Sequence, residues 1–95
     1  MHNEQFEWDD HKAAANLRSH RVSFEQAAFA FIDPFAVEWI DGREDYGEER
    51  SVLVGMVFGQ PLTVVYTLRG RRTRIVSAWR ATRHEQDYYY RQNAP

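Results

Sequence analysis

The chain contains no cysteine. Disulfides, a thiol nucleophile and thiolate metal sites are therefore excluded. Lysine is almost absent as well: Lys12 stands alone and the other eleven basic residues are arginine, the side chain suited to bidentate binding of phosphate or carboxylate. No apolar run approaches the roughly 20 residues that a membrane helix needs. The opening "MHNEQFEWDD" is polar and acidic, unlike a secretory leader, so a cytoplasmic protein with no membrane partner is expected. His2, His11, His20 and His84 show neither HExxH nor any other ligand spacing, and neither a metal nor any other cofactor is expected. No sequence pattern supports a serine triad, a P-loop or a dinucleotide fingerprint.

What is present points to one folded domain spanning residues 1–95. A 43% apolar fraction with fourteen aromatic residues is too rich for a disordered chain. The formal net charge of −2 hides a strong asymmetry. Residues 50–84 carry seven arginines and no Asp or Glu, and the rest of the chain carries an excess of nine negative charges. Within "RGRRTRIVSAWRATRH", residues 69–84, six arginines surround an apolar strand-like core. Such a cationic face suits RNA, DNA or an acidic protein partner; a solvated sheet surface is the plainer alternative.

Periodicity gives the elements. "QFEWD" (5–9) predicts a short strand with Phe6 and Trp8 on one face and Glu7 opposite. Asp9 or Asp10 then caps a helix through "DHKAAANLRSH", with Ala13, Ala14 and Leu17 as its buried stripe. "SFEQ" (23–26) is a capping box opening a second helix, whose core-facing stripe is Phe24, Ala27, Ala28 and Phe31. Asp33-Pro34 ends it, and the short link predicts that the two helices pack as a pair. "FAVEWI" reads as a strand alternating Phe35, Val37 and Trp39, and "DGREDYGEE" (41–49) as a charged mobile loop. "RSVLVGMVF", "LTVVYTL" and "TRIVSAW" predict an antiparallel meander with turns at "GQP" and "RGR". "TRHE" (82–85) opens a terminal helix reaching about Arg91. The expected fold class is a compact α+β domain.

Regular alternation on the last strand puts Arg74, Val76, Ala78 and Arg80 on one face, with Ile75, Ser77 and Trp79 on the other. Arg69, Arg71 and Arg72 crowd the preceding turn. Interleaved with Tyr66 and Trp79, these arginines resemble the clamps and stacking surfaces of single-stranded RNA binders. His20 ends the first helix, either as a residue facing the helix dipole or as a proton-transfer group, since a free imidazole exchanges protons near neutral pH. Glu49 and Arg50 read as an ion pair, as a base beside a clamp, or as surface charge.

The assembled pattern resembles the BrnT toxin family. "FEWDDHKAAANLRSHRVSFEQA" (6–27) carries its opening signature, and "GEER" (47–50), "VVYT" (64–67) and "RIVSAWRATRHE" (74–85) match later blocks in order. The resemblance implies a RelE-like fold and a ribonuclease toxin of a type II toxin–antitoxin pair. It implies a cognate BrnA-like antitoxin, itself DNA-binding, that neutralises the toxin in a hetero-oligomer and connects it to operator DNA. Lys12, His20, Glu49, Arg50, Tyr66, Arg74, Ser77 and Arg80 fall on family positions. Trp79 stands where the family block reads arginine, and Arg21 where glycine is common.

Metal-free RNA cleavage needs a base for the 2′-OH, an acid for the leaving 5′-oxygen and cations for the charge that builds on phosphorus. The candidate catalytic set is therefore Arg74 and Arg80 as clamps, then Arg50, with His20 or Glu49 as base and Lys12 as a supporting charge. Arg69, Arg71, Arg72, Tyr66, Ser77 and Trp79 are the candidate RNA contacts. Three readings compete: an active ribonuclease toxin, a catalytically impaired member that binds antitoxin or regulates the operon, and a nucleic-acid-binding domain with no toxin role.

Overall fold

Three long apolar runs decide the architecture, because the first two are buried on both sides and must lie inside a layered structure. The computed structural model describes residues 3–42 and 47–95. In it β3 (Arg50–Val57), β4 (Gln60–Arg69) and β5 (Arg72–Arg80) form an antiparallel meander. Two shorter strands flank it: β2 (Val37–Asp41) antiparallel to β3, and β1 (Phe6–Glu7) parallel to β5. The strand order is β1-β5-β4-β3-β2. α1 (Asp10–His20), α2 (Phe24–Phe29) and a 3-10 turn (Ala30–Ile32) cover one face, and α3 (Arg83–Asn93) lies on the other. The expected α+β class and element order are what the structure shows. None of its helices is long and apolar enough to cross a membrane.

Local signals place the helices. Asp9 caps α1 by accepting from the amides of His11 and Lys12. Ser23/Gln26 and Thr82/Glu85 close reciprocal capping boxes at α2 and α3. Under the helices a core forms from Trp8, Val22, Phe24, Ala27, Leu53, Val64, Ile75 and Ala78, all buried. Gly55 admits the 3-10 turn: a Cβ there would run into the Ala30 carbonyl oxygen, so backbone packs directly on backbone. Opposite, Tyr89 and Ala81 cover Val54, with Val37, Trp39 and Met56 around them.

Several details depart from the sequence expectation. Ala14 is exposed and Leu17 is 49% exposed; the buried polar residue of α1 is Asn16, at 7%. β1 pairs with β5 only as far as Glu7–Arg74, and beyond that point the outer edge of β5 lies open. Asn16 fills the place of the missing strand. Its amide Nδ2 donates to Ala78 O (2.8 Å) and Val22 O (2.9 Å), and its Oδ1 accepts from Ala78 N (3.1 Å) and the Ser77 hydroxyl (3.2 Å). Two donors and two acceptor sites exhaust what a carboxamide can make. α1 and α2 touch, yet each rests mainly on β5. The first turn of the meander is Phe58-Gly59, both at positive φ (49° and 81°), and Gln60 and Pro61 already belong to β4. Phe35 precedes β2 and is exposed. Of the loop expected at 41–49, Asp41 is the buried end of β2, and residues 43–46 lie outside the described residues.

Two phenols record how tightly the layers close. Burial first, then a hydrogen bond to a carboxylate, pushes Tyr66 (on Glu38) and Tyr89 (on Asp33) up to about 12. Both protons are held more tightly in the fold than in the unfolded chain, whose phenols ionise near 10. The stabilisation is therefore complete below about pH 10 and lost as pH rises through about 12. In an alkaline titration followed by absorbance and circular dichroism, two phenols should ionise only as the fold melts. Normal ionisation of all phenols with secondary structure intact would contradict this. Separately, Asn16→Ala leaves the backbone of Ala78 and the carbonyl of Val22 buried without partners. Urea unfolding should show a loss of about 3 kcal/mol or more, and a loss below about 1 kcal/mol would refute the edge-filling role.

Candidate functional site

β5 carries most of the residues that suggest chemistry, and an irregularity sorts them. Ser77 lies opposite Val65 and Ile75 opposite Tyr66, so Val76 is an extra residue, a β-bulge. The bulge flips the alternation. Ile75 and Ala78 both enter the core beneath the helices. Arg74 sits across from Thr67 and Arg80 across from Leu62, positions of opposite parity. The two arginines expected on one face are therefore on opposite faces, at the two ends of the strand.

At the lower end Arg74 has a partner already. Its Nη1 donates to Glu7 Oε2 at 2.6 Å, with both side chains largely covered. That hydrogen bond, aided by the charges of Arg69 and Arg72, holds the Glu7 carboxyl below its ordinary range. Next across the sheet, Thr67 Oγ1 donates to the Glu49 carbonyl (2.8 Å), and Arg50 lies opposite Asp41. The Glu49 side chain is exposed beside them. Arg69 reaches Glu48 at 3.5 Å, and with Arg71 and Arg72 it lines an open depression that also contains Glu4, Gln5 and Glu7. Acidic side chains in and just before β1 thus face part of the arginine cluster.

At the upper end the arrangement is different. Ser19, His20, Trp79 and Arg80 line one open pocket, and the His20 and Trp79 rings lie 6.0 Å apart at 48°. Arg80 is exposed and forms no ion pair with a described residue. Arg18 and Arg21 border an adjoining depression. His20 reaches this pocket because α1 is fixed along β5 by Asn16, which also engages Ser77. Ser77 is therefore occupied by the fold. Tyr66 is too: it is 7% exposed, with its ring edge on Phe31 at 5.0 Å and its hydroxyl on Glu38. Lys12 is exposed on the first turn of α1, about 12 Å along the helix from His20.

Between the ends, on the α3 face, runs a groove of about 420 Å³ with Val52 in its floor, walled by Trp39 and Trp79 and edged by Asp41 and Glu85. Glu85 organises this wall. Its Oε1 accepts from Trp79 Nε1 (3.1 Å), Thr63 Oγ1 (2.9 Å) and Thr82 N (2.8 Å). Trp39 is braced by Tyr88, edge to face at 5.4 Å. Sequence reasoning placed Trp39 on a strand and Glu85 in a cap but gave neither a part in a site. Alternation and the capping box held the signal; what was missing was the register that brings strand and helix together. Among the described residues no three of His, Asp and Glu gather in a way that would hold a metal ion.

Residues 8–85 match the family described as the ribonuclease toxin, BrnT, of type II toxin–antitoxin systems. The chain belongs to the BrnT family. A comparison with curated proteins returned no match, so the family match carries the assignment. BrnT membership makes the chain a ribonuclease toxin of a type II pair, which implies a protein antitoxin as partner. The matched span contains every catalytic candidate and both groove indoles, and it ends at Glu85.

The end of α1 has a direct conformational reading. Arg21 is its C-cap at φ 60°, ψ 26°, the left-handed region, which disfavours side chains with a Cβ by about 1–2 kcal/mol. Arg21→Gly should raise stability by about 1 kcal/mol after the greater flexibility of an unfolded glycine is allowed for. A thermal melt that moves downward would refute that assignment.

Proposed function

We propose that this BrnT-family chain cleaves RNA without a metal ion, at the pocket formed by His20, Trp79 and Arg80. The observation that supports it most is the convergence there of a proton-transfer group, an aromatic surface and an arginine with no ion-pair partner among the described residues. In this reading His20 takes the proton from a 2′-OH, and the oxygen attacks the adjacent phosphorus. Arg80 stabilises the charge on the non-bridging oxygens, and the leaving 5′-oxygen takes its proton from water. The product ends are a 2′,3′-cyclic phosphate and a 5′-OH. Arg50 and Arg74, with Arg69, Arg71 and Arg72 beyond them, bind the strand's phosphates further along, where Glu7 must yield Arg74 to the substrate. Lys12 adds a remote positive charge, and Glu49 sits at the phosphate-binding end, away from His20.

In the cell such cleavage arrests translation. A BrnA-like antitoxin, a DNA-binding protein acidic where it covers the toxin, neutralises the arginine face in a hetero-oligomer and alone contacts operator DNA. RNA and antitoxin then compete for the same surface.

A second reading has its own observation. Trp79 replaces the family arginine and its indole lies against His20, which favours an impaired nuclease that persists as an antitoxin-binding module. Incubation of a labelled RNA with the protein in EDTA distinguishes the two. Cleavage by the parent chain is expected, with turnover falling about 10²–10³-fold in Arg80→Ala while the fold remains intact by circular dichroism. Unchanged turnover in Arg80→Ala would remove it from the mechanism. Cleavage by Trp79→Arg alone would make the second reading the correct one.

A further inference from the structure

We infer that Trp39 and Trp79 are a pair of nucleobase platforms, so that the groove on the α3 face takes the bases of a single-stranded RNA while the arginines outside it hold the phosphates. This rests on the RNA-cleavage reading and adds to it the class of substrate and a residue, Trp39, that the catalytic pocket does not contain.

The argument begins with register. Trp39 lies opposite Val52 and Trp79 opposite Thr63, and both indoles line the groove whose floor includes Val52. β2 and β5 are separated by β3 and β4, so the two backbones stand about 15 Å apart at ordinary strand spacing. That separation suits two bases splayed to either side of one backbone phosphate. Both indoles are part-exposed. Both are also oriented by α3, through the Glu85 bond to Trp79 and the Tyr88 edge against Trp39. A rigid aromatic surface is what base stacking requires, and it tolerates any base because every base has a π-face.

Charge decides which part of a nucleotide enters. Among the described residues no arginine lines the groove, but the carboxylate of Glu85 does, and it repels phosphate. Glu85 already receives three donors on Oε1, and its Oε2 accepts from no described residue. That oxygen can take an N–H from the edge of a stacked base. Phosphates are left to arginines outside the groove, Arg74 on the same face of the sheet and Arg80 beyond the edge of β5. A duplex cannot use this arrangement, because its bases are stacked on each other.

The test uses a single-stranded octanucleotide carrying 2′-fluoro sugars, which lacks the attacking hydroxyl, and the corresponding duplex. Trp39→Leu and Trp79→Leu should each weaken single-strand binding about tenfold or more, Trp39→Phe should retain most of the affinity, and the duplex should bind weakly to all. Circular dichroism checks that each variant folds. Should Trp39→Leu fail to fold, the unmodified protein still decides the matter. Photo-crosslinking to the same oligonucleotide with 5-iodouridine should give adducts on Trp39 and Trp79. Unchanged affinity in a folded Trp39→Leu, or adducts confined to the 69–72 turn, would overturn the platforms and leave the nuclease reading standing. Failure of the unmodified protein to bind any single strand would remove the nuclease reading, and this inference with it.

Discussion

The fold depends on how an open sheet edge is closed. β1 is two residues long, yet β5 continues well past it, exposing backbone groups that must find partners. Asn16 supplies them from a helix: one carboxamide presents a donor and an acceptor to Ala78 in the manner of a neighbouring strand. The opposite edge repeats the solution. β2 pairs with β3 from Val37–Val54 onward, so Met56 lies beyond its reach, and the Asp33 carboxylate accepts the Met56 amide at 2.7 Å. Burial opposes ionisation of Asp33, but the Tyr89 hydroxyl and the amides of Met56 and Phe35 overcome it and hold the carboxyl below its ordinary range. One short polar side chain at each edge replaces a strand.

These two anchors also align the layers. Asn16 fixes the lateral position of α1 on β5 and so brings His20 beside Trp79. Asp33 ties the 3-10 turn to β3 and, through Tyr89, to α3 on the far side of the sheet. With α3 held there, Glu85 and Tyr88 meet the indoles. Site geometry is thus inherited from edge closure, and a loss of edge hydrogen bonds would disturb the site before it unfolded the core.

What the sequence made legible was the local chemistry. Capping boxes at Ser23 and Thr82, the Asp9 cap and the apolar meander each rest on residues within a few positions of one another, and each formed as expected. The features that escaped depend on distant partners. Asn16 lies outside the Ala13, Ala14 and Leu17 stripe that periodicity offers, because its reason for burial is a strand 62 residues away. The Val76 bulge has no glycine or proline to announce it, and it reversed the relation of Arg74 to Arg80. The charge asymmetry was visible in composition, but that Glu7 occupies Arg74 required the parallel pairing of β1 with β5. In the same way, much of the family's opening block proves architectural: Trp8, Asn16, Val22 and Phe24 are core or edge residues, and of that block Ser19 and His20 line the candidate catalytic pocket.

Trp79 gains meaning from Glu85. A guanidinium there would offer this carboxylate an N–H donor and a positive charge. The indole keeps the donor, at 3.1 Å, and gives up the charge for a flat polarisable surface. Because the carboxylate also caps α3 and accepts from Thr63, a residue without a donor would leave one of its sites open at the junction of helix and sheet. Tryptophan is the one large aromatic side chain whose only polar atom is an obligate donor; a phenol has a hydroxyl that accepts as well as donates, and a phenylalanine has neither. The indole therefore preserves the junction and leaves Arg80 as the cation beside His20.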